Sequence, residues 1–256
     1  MHVGRKIAII GTGYVGLTTG ACLSHLGHDV VCADVVPEKV ESLSRGEVPI
    51  LEAGLDDLVH EGIAAGRLSF VLGARNAVTD AEFVFLCLPT PQGADGAADL
   101  SYIKAAATDI GPVLLPDTIV INKSTVPVGS AGEVAKKLVR SDVHVVSNPE
   151  FLREGTAVSD FLHPDRVVIG STDRTAADRV AALYAKLEAE VVITDPASAE
   201  TIKYASNAFL ATKISFVNAM AAVCEEVGAD VSDVVAGMGL DQRIGNRFLI
   251  PGPGWG

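Results

Sequence analysis

Cysteine is sparse. The 256-residue sequence has four, Cys22, Cys32, Cys87 and Cys224. None forms a CxxC pair, which argues against a disulfide scaffold and a zinc ribbon, and no metal site is expected. Three sit inside apolar runs, where a free thiol is a small buried hydrophobe, and a reducing cytoplasm fits. Basic charge is short as well. Twenty Lys and Arg against 32 Asp and Glu leave a net charge of −12. A surface so acidic argues against nucleic acid or an anionic membrane as the main partner. Long apolar runs are missing: none approaches the ~18 residues of a membrane span. Only four apolar residues separate Lys6 from Gly11, too few for a signal peptide. Repeats and low-complexity tracts are missing too. With 48% hydrophobic and 20% charged residues, disorder is excluded and a packed core is well supplied.

Short apolar runs recur, and helix-compatible stretches separate them. Lys6–Ile10, Asp29–Ala33, Phe83–Leu88, Thr118–Asn122, Val143–Ser147, Val167–Gly170 and Val191–Thr194 read as strands. Most are rich in Val and Ile without alternation, as strands covered on both faces are. Helices are expected over about 14–26, 36–45, 53–64, 101–114, 128–140 and 174–188. The pattern changes after Asp195-Pro196. From Ala197 to Val227 there is no Gly or Pro, which predicts one helix long enough to bridge domains or build a dimer interface. Gly228 is a C-cap candidate, Ser232–Met238 a further short helix, and Pro251–Gly256 a Gly-rich loop. The expected fold class is α/β: a Rossmann-like, doubly wound, mostly parallel sheet followed by a long central helix. The expected division is residues 1–196 for the sheet domain and 197–256 for the helix, a dimerisation region and an incomplete Gly-rich loop.

The first strand runs directly into Gly11-Thr12-Gly13-Tyr14-Val15-Gly16, and the next strand ends in Asp34, 18 residues past Gly16. A GxGxxG in that strand–helix context is a dinucleotide fingerprint. Gly11 makes the tight turn, Gly13 lets the backbone approach a pyrophosphate, and Gly16 lets helix and strand pack closely. Asp34 accepts from the ribose hydroxyls and repels a 2′-phosphate, so NAD is expected over NADP. Three further strand ends carry polar groups: Leu88-Pro89-Thr90-Pro91, Asn122–Gly129 and Ser147–Gly155. Thr90, Thr125, Glu150 and Glu154 either converge on a nicotinamide or, for Thr125 and Glu150, cap helices. On the long helix Lys203 and Asn207 are spaced i, i+4. They share one face, as donors to an oxyanion or as a solvated surface.

These segments, with Pro164–Gly170, Glu200–Phe216 and Asp241–Gly245, resemble the nucleotide-sugar dehydrogenases, the UDP-glucose/GDP-mannose dehydrogenase family, in the family's order and across essentially the whole chain. The resemblance implies oxidation of a sugar C6 alcohol to a carboxylate with two NAD⁺, UDP-glucose to UDP-glucuronate, through a cysteine thiohemiacetal and thioester. It implies a UDP-sugar partner and a homodimer built on the central helix. Thr125, Glu154, Lys203 and Asn207 take the catalytic roles: Glu154 as acid/base for thioester hydrolysis, Thr125 orienting water, Lys203 and Asn207 stabilising oxyanions. The implied cofactor contacts are Gly11, Gly13, Tyr14, Val15, Gly16, Asp34, Lys39, Pro89, Thr90, Thr125 and Glu154. Phe151, Leu152, Glu154, Lys203, Asn207 and Arg243 are the implied substrate contacts, with Arg243 reaching substrate bound mainly by the partner subunit.

The departure lies at the end. In the family the terminal loop continues to the nucleophilic cysteine, with a lysine and an aspartate, and a second α/β domain follows. Here the sequence stops at Trp255-Gly256. None of the four cysteines matches the nucleophile's motif. The expectation is therefore a chain that binds NAD and lacks the nucleophile, cut from an enzyme of this family. The competing readings are a dehydrogenase of UDP-N-acetylmannosamine or GDP-mannose, a two-electron β-hydroxyacid dehydrogenase, and a non-catalytic NAD-binding, dimerising module.

Overall fold

The computed structural model describes residues 4–254. Trp255 and Gly256, the end of the expected Gly-rich loop, lie outside the described residues. The chain divides into two compact units, Met1–Thr201 and Ile202–Gly256, and the break falls inside the long helix.

The strands of the first unit are β1 (Lys6–Ile10), β2 (Asp29–Asp34), β3 (Leu68–Leu72), β4 (Phe83–Leu86), β5 (Ile119–Asn122), β6 (His144–Ser147), β7 (Arg166–Gly170) and β8 (Glu190–Thr194). They form one sheet in the order β3-β2-β1-β4-β5-β6-β7-β8. Every neighbouring pair is parallel except β6 and β7, which meet antiparallel at Ser147 and Gly170. Helices α1 (Tyr14–His25), α2 (Pro37–Ser44), α3 (Leu55–Ala64), α4 (Ala74–Val78), α5 (Ser101–Ile110), α6 (Ser130–Leu138), α7 (Ala157–Leu162) and α8 (Arg174–Ala181) cover it.

Burial explains the lack of alternation in the strands. Ile7 and Ile9 enter one core cluster, with Leu17, Val59, Phe161 and Val180 from α1, α3, α7 and α8. Ala8 and Ile10 enter the other, with Val78, Ile103 and Val134 from α4, α5 and α6. Both faces of β1 are therefore apolar, as a sheet between two helical layers requires. All four residues of β4 and of β5 are buried.

Three elements depart from the sequence expectation. Strand β3 carries Ser69 at its second position and lies at an edge of the sheet, so its apolar run is short. Helices α4 and α7 have five and six residues, below the length at which a periodic pattern is visible. Two expected helices end early. Pro112 lacks the N–H an α-helix needs, so α5 gives way to a 3₁₀ turn at Gly111–Val113. Helix α8 passes into a 3₁₀ turn at Ala182–Tyr184.

Helix α9 (Pro196–Val227) has 32 residues. Pro196 stands at its start, where a missing N–H costs nothing. The Asp195 side chain accepts from Ser198 N at 2.9 Å and Ser198 Oγ at 2.6 Å, closing the first turn. By length and composition alone α9 is apolar enough to cross a bilayer. The expectation of no span rested on uninterrupted apolar runs, which Lys203, Asn207 and Lys213 break. In the second unit, α10 (Val231–Gly239) is capped by Asp230, whose Oδ1 accepts from Ser232 N at 2.7 Å. Asn218 exchanges two hydrogen bonds with Gly252, at 2.7 and 2.8 Å, and Lys213 Nζ donates to Ile244 O at 3.1 Å. Phe209, Phe216 and Val223, seven residues apart, are exposed along one face of α9.

Candidate active site

The sheet order reverses between β1 and β4, the switch point where open α/β sheets bind ligands. There the carboxyl ends of β1, β2, β4, β5 and β6 line one cavity of about 840 Å³. Gly11, at φ +97°, turns the chain out of β1. A Cβ on it would stand 2.4 Å from Cys87 O, and one on Gly16 only 1.9 Å from Gly11 O. Gly13 is the opposite case: a Cβ there would meet nothing within 4 Å. Its backbone faces open space at the mouth of α1. The first helical bond is Leu17 N to Gly13 O at 2.9 Å. The N–H groups before it have no helical partner, and with the helix dipole they suit a phosphate.

Asp34 ends β2 at the wall of the cavity. Its Oδ2 accepts from Thr12 N at 3.1 Å, Thr12 Oγ1 at 2.5 Å and Lys39 Nζ at 3.0 Å. Its Oδ1 accepts from Val35 N and Val36 N at 2.8 and 3.2 Å. Burial pushes the carboxyl up, but the bonds from Thr12 and Lys39 outweigh it and hold the group at about 2.

At the other end, Thr90, Thr125 and Glu150 meet. Thr90 Oγ1 donates to Thr125 O at 2.9 Å. Thr125 Oγ1 donates to Glu150 Oε1 at 3.3 Å, and Glu150 Oε2 accepts from Leu152 N at 2.7 Å. Cys87 also lines this region. Burial pushes its thiol up to about 12; the Lys123 charge opposes the shift and that of Glu150 adds to it. All four cysteines are free and buried, and burial pushes Cys22 up to about 12 as well.

Of the residues expected to hold a cofactor, Gly11, Gly13, Tyr14, Val15, Asp34, Lys39, Pro89, Thr90 and Thr125 line the cavity. Gly16 packs behind it. Glu154 does not line it: it stands exposed on the turn after Phe151-Leu152, and its charge is felt at the Tyr14 phenol. Phe151 and Leu152 border a separate recess of about 40 Å³, with Arg166 stacked over the Phe151 ring at 3.7 Å. In the second unit Lys203 is buried and Asn207 exposed. Arg243 is exposed and forked onto Asp241, with Nη2 to Oδ2 at 2.6 Å. Among the described residues no cluster of three or more His, Cys, Asp or Glu is placed to hold a metal ion.

Glu52 has no place in the sequence reading. It is buried, yet its partners are Tyr14, Gly155 and Ala157. A lone acid in Leu51-Glu52-Ala53-Gly54 carries no motif, and its partners lie more than 100 residues away except for Tyr14.

The switch-point cavity, the open Gly13 backbone and the acid at the end of β2 define a dinucleotide-binding domain of the dehydrogenase type. Residues 5–188 match the model of the UDP-glucose/GDP-mannose dehydrogenase family, NAD binding domain, and residues 197–256 match that family's central domain. The chain belongs to the UDP-glucose/GDP-mannose dehydrogenase family, and its cofactor is NAD. It is 49% identical over 262 residues to a UDP-glucose 6-dehydrogenase of Rhizobium meliloti (strain 1021), covering 98% of this chain and 60% of the relative. A solved UDP-glucose dehydrogenase from Pyrobaculum islandicum superposes with a TM-score of 0.93 at 39% identity, covering 99% of this chain and 61% of that one. A solved GDP-mannose dehydrogenase from Pseudomonas aeruginosa gives a TM-score of 0.89 at 32% identity, over 98% and 61%. The chain thus spans about 60% of the length of the relatives it matches.

Proposed function

We propose that this chain is the NAD-binding and central part of an enzyme that oxidises UDP-glucose to UDP-glucuronate. The observation that carries the reading is Asp34, held ionised at the wall of a cavity that opens beside Gly13. The order of identities, 49% and 39% to UDP-glucose enzymes against 32% to a GDP-mannose enzyme, favours UDP-glucose as the sugar nucleotide.

The residues present fit NAD. The N–H groups at the start of α1, with Gly13, would hold the pyrophosphate, Asp34 the adenosine ribose, and Pro89, Thr90 and Thr125 the nicotinamide end. Bound NAD supplies a hydride acceptor. Two hydride removals and the oxygen of one water turn a CH₂OH into a carboxylate, so the site must also manage protons and water. Thr125, bonded to Glu150 at the cavity wall, would orient a water. Glu154 would serve as acid/base, and Lys203 and Asn207 would donate to oxyanions. Phe151, Leu152 and Arg243 would contact the UDP-sugar. The proposal includes a homodimer through α9, whose exposed Phe209, Phe216 and Val223 repeat every seven residues, and a cytoplasmic location, where four free thiols persist.

The test is fluorescence titration of the 256-residue chain with NADH and NADPH. Saturable NADH binding with NADPH at least about tenfold weaker supports the reading; equal affinity overturns the role of Asp34. With UDP-glucose and NAD⁺ this chain is expected to give no turnover, because its cysteines are buried and matched to no nucleophile motif. Two NADH per UDP-glucose from the protein of the complete reading frame supports the sugar assignment. Preference there for GDP-mannose or UDP-N-acetylmannosamine overturns it.

A further inference from the structure

Glu52 lies between α2 and α3 with its side chain turned inward; the residue is 7% exposed. Oε1 accepts from Ala157 N at 2.8 Å. Oε2 accepts from Gly155 N at 2.8 Å and from the Tyr14 hydroxyl at 2.6 Å. The Tyr14 hydroxyl also stands 2.7 Å from Arg153 O. Arg153 in turn is held by Asp160, which accepts from Arg153 N at 2.9 Å. One carboxyl group therefore joins three places: the first residue of α1, a turn without regular structure, and the first residue of α7.

We infer that Glu52 is a positioning residue that fixes the Arg153–Ala157 turn, and Glu154 with it, against Tyr14 at the edge of the dinucleotide cavity. The inference rests on the acid/base role proposed for Glu154. Its geometry is independent of that role. Glu154 stands between Arg153 and Gly155, two residues whose backbone meets the Tyr14–Glu52 pair. Gly155 is at φ +87°, which glycine reaches without steric cost, so no local strain fixes the turn and its bonds to Glu52 can. Capping α7 alone would need only the bonds to Gly155 and Ala157. The short bond to Tyr14 adds a link to a residue that lines the cavity. That phenol keeps its proton: burial raises it, and the Glu52 bond and charge raise it further. It thus stays a donor to Glu52.

The test compares the 256-residue chain with its Glu52→Gln and Tyr14→Phe variants by amide hydrogen exchange and NADH titration. An amide in place of the carboxylate offers one oxygen where two accept. Exchange at Gly155 and Ala157 should rise about tenfold in Glu52→Gln, as loss of one buried hydrogen bond gives, while β1, β4 and β5 keep their protection. NADH affinity should fall several-fold. Tyr14→Phe keeps both backbone bonds to Glu52 and is the milder variant should Glu52→Gln fold poorly. It should still speed exchange at Gly155, a change that simple capping of α7 does not produce. Unchanged exchange at Gly155 in Tyr14→Phe overturns the link to Tyr14, and unchanged exchange in Glu52→Gln overturns the inference entirely. A wild-type chain that fails to bind NADH would sink the functional reading, and the exchange data would still decide the role of Glu52.

Discussion

Lys39 Nζ stands 3.0 Å from Asp34 Oδ2, on the same oxygen that takes the Thr12 N–H and hydroxyl. The acid that should read the ribose is thus occupied from the protein side. Five donors converge on its two oxygens. A ribose hydroxyl must replace one of them, and Lys39 or the Thr12 hydroxyl, being side-chain groups, can swing away.

Asp34→Asn should weaken NADH binding roughly 10- to 100-fold, the range for a hydrogen bond to a charged group, and narrow the gap to NADPH. Fluorescence titration with both dinucleotides checks it. The pH sign follows from the depressed acid, at about 2 against the usual 3.8. Its stabilising contribution is complete above the unfolded value and is lost as pH falls from about 4 towards 2. Thermal midpoints of wild type and Asp34→Asn should converge over that window. Parallel midpoints down to pH 2 would contradict it.

Gly13 and Gly16 separate binding from folding. A methyl on Gly13 meets open space on the protein side, at an extended backbone that alanine adopts freely. Gly13→Ala should keep the thermal midpoint within about 2 °C and lower NADH affinity at least tenfold, since the methyl fills the pyrophosphate's approach. Gly16→Ala places its methyl 1.9 Å from Gly11 O and 3.0 Å from Cys87 Cβ. It should cost about 3 kcal/mol, a large overpacking penalty, and about 6–12 °C in midpoint. Equal effects of the two variants on stability would refute the distinction.

Glu200, near the start of α9, is a buried acid that joins the N-terminus of α6 to the end of β6. It accepts from Gly129 N at 2.6 Å, Ala131 N at 3.0 Å and Ser147 Oγ at 3.0 Å. The first two are at the N-terminus of α6, where an anion is favoured. Glu200→Ala leaves two of these donors, Ala131 N and Ser147 Oγ, buried without a partner and should cost about 3 kcal/mol, read as a lower urea midpoint. Glu200→Gln retains one acceptor and should cost less. A loss under about 1 kcal/mol for the alanine variant would show that water replaces the carboxylate.

Local signals located most of the fold. Runs such as Phe83–Leu86 and Ile119–Asn122 are apolar on both faces because helices cover both, so composition alone marked them. The glycine fingerprint was legible because its spacing is local, with Gly16 packed on Gly11 O five residues back, although Gly11 itself answers to the distant Cys87 O. What escaped was long-range. Glu52 reaches Gly155 and Ala157 across more than 100 positions, and Glu200 reaches Gly129 across 71. Neither spacing has a pattern, because the fold and not the chain makes the residues neighbours. Glu154 was expected among the cavity's polar groups from its strand end, yet the turn that Glu52 holds leaves it exposed beside Tyr14.

Val139 tests the backbone rather than the site. It ends α6 at φ +52°, ψ 38°, a left-handed conformation in which a β-branched side chain is a genuine outlier. The conformation costs an L-residue roughly 1–2 kcal/mol. Nothing offsets it through packing, since the side chain is 84% exposed. Val139→Gly removes the steric cost but adds about 0.5–1 kcal/mol of unfolded-chain entropy. The balance is a gain of about 0.5–1 kcal/mol, or roughly 1–4 °C in thermal midpoint. Val139→Asn, which tolerates the left-handed region while keeping a Cβ, should gain less. NADH affinity should not change in either variant, because Val139 does not line the cavity. A lower midpoint for the glycine variant would mean that α6 ends differently in solution, with Val139 in a right-handed turn.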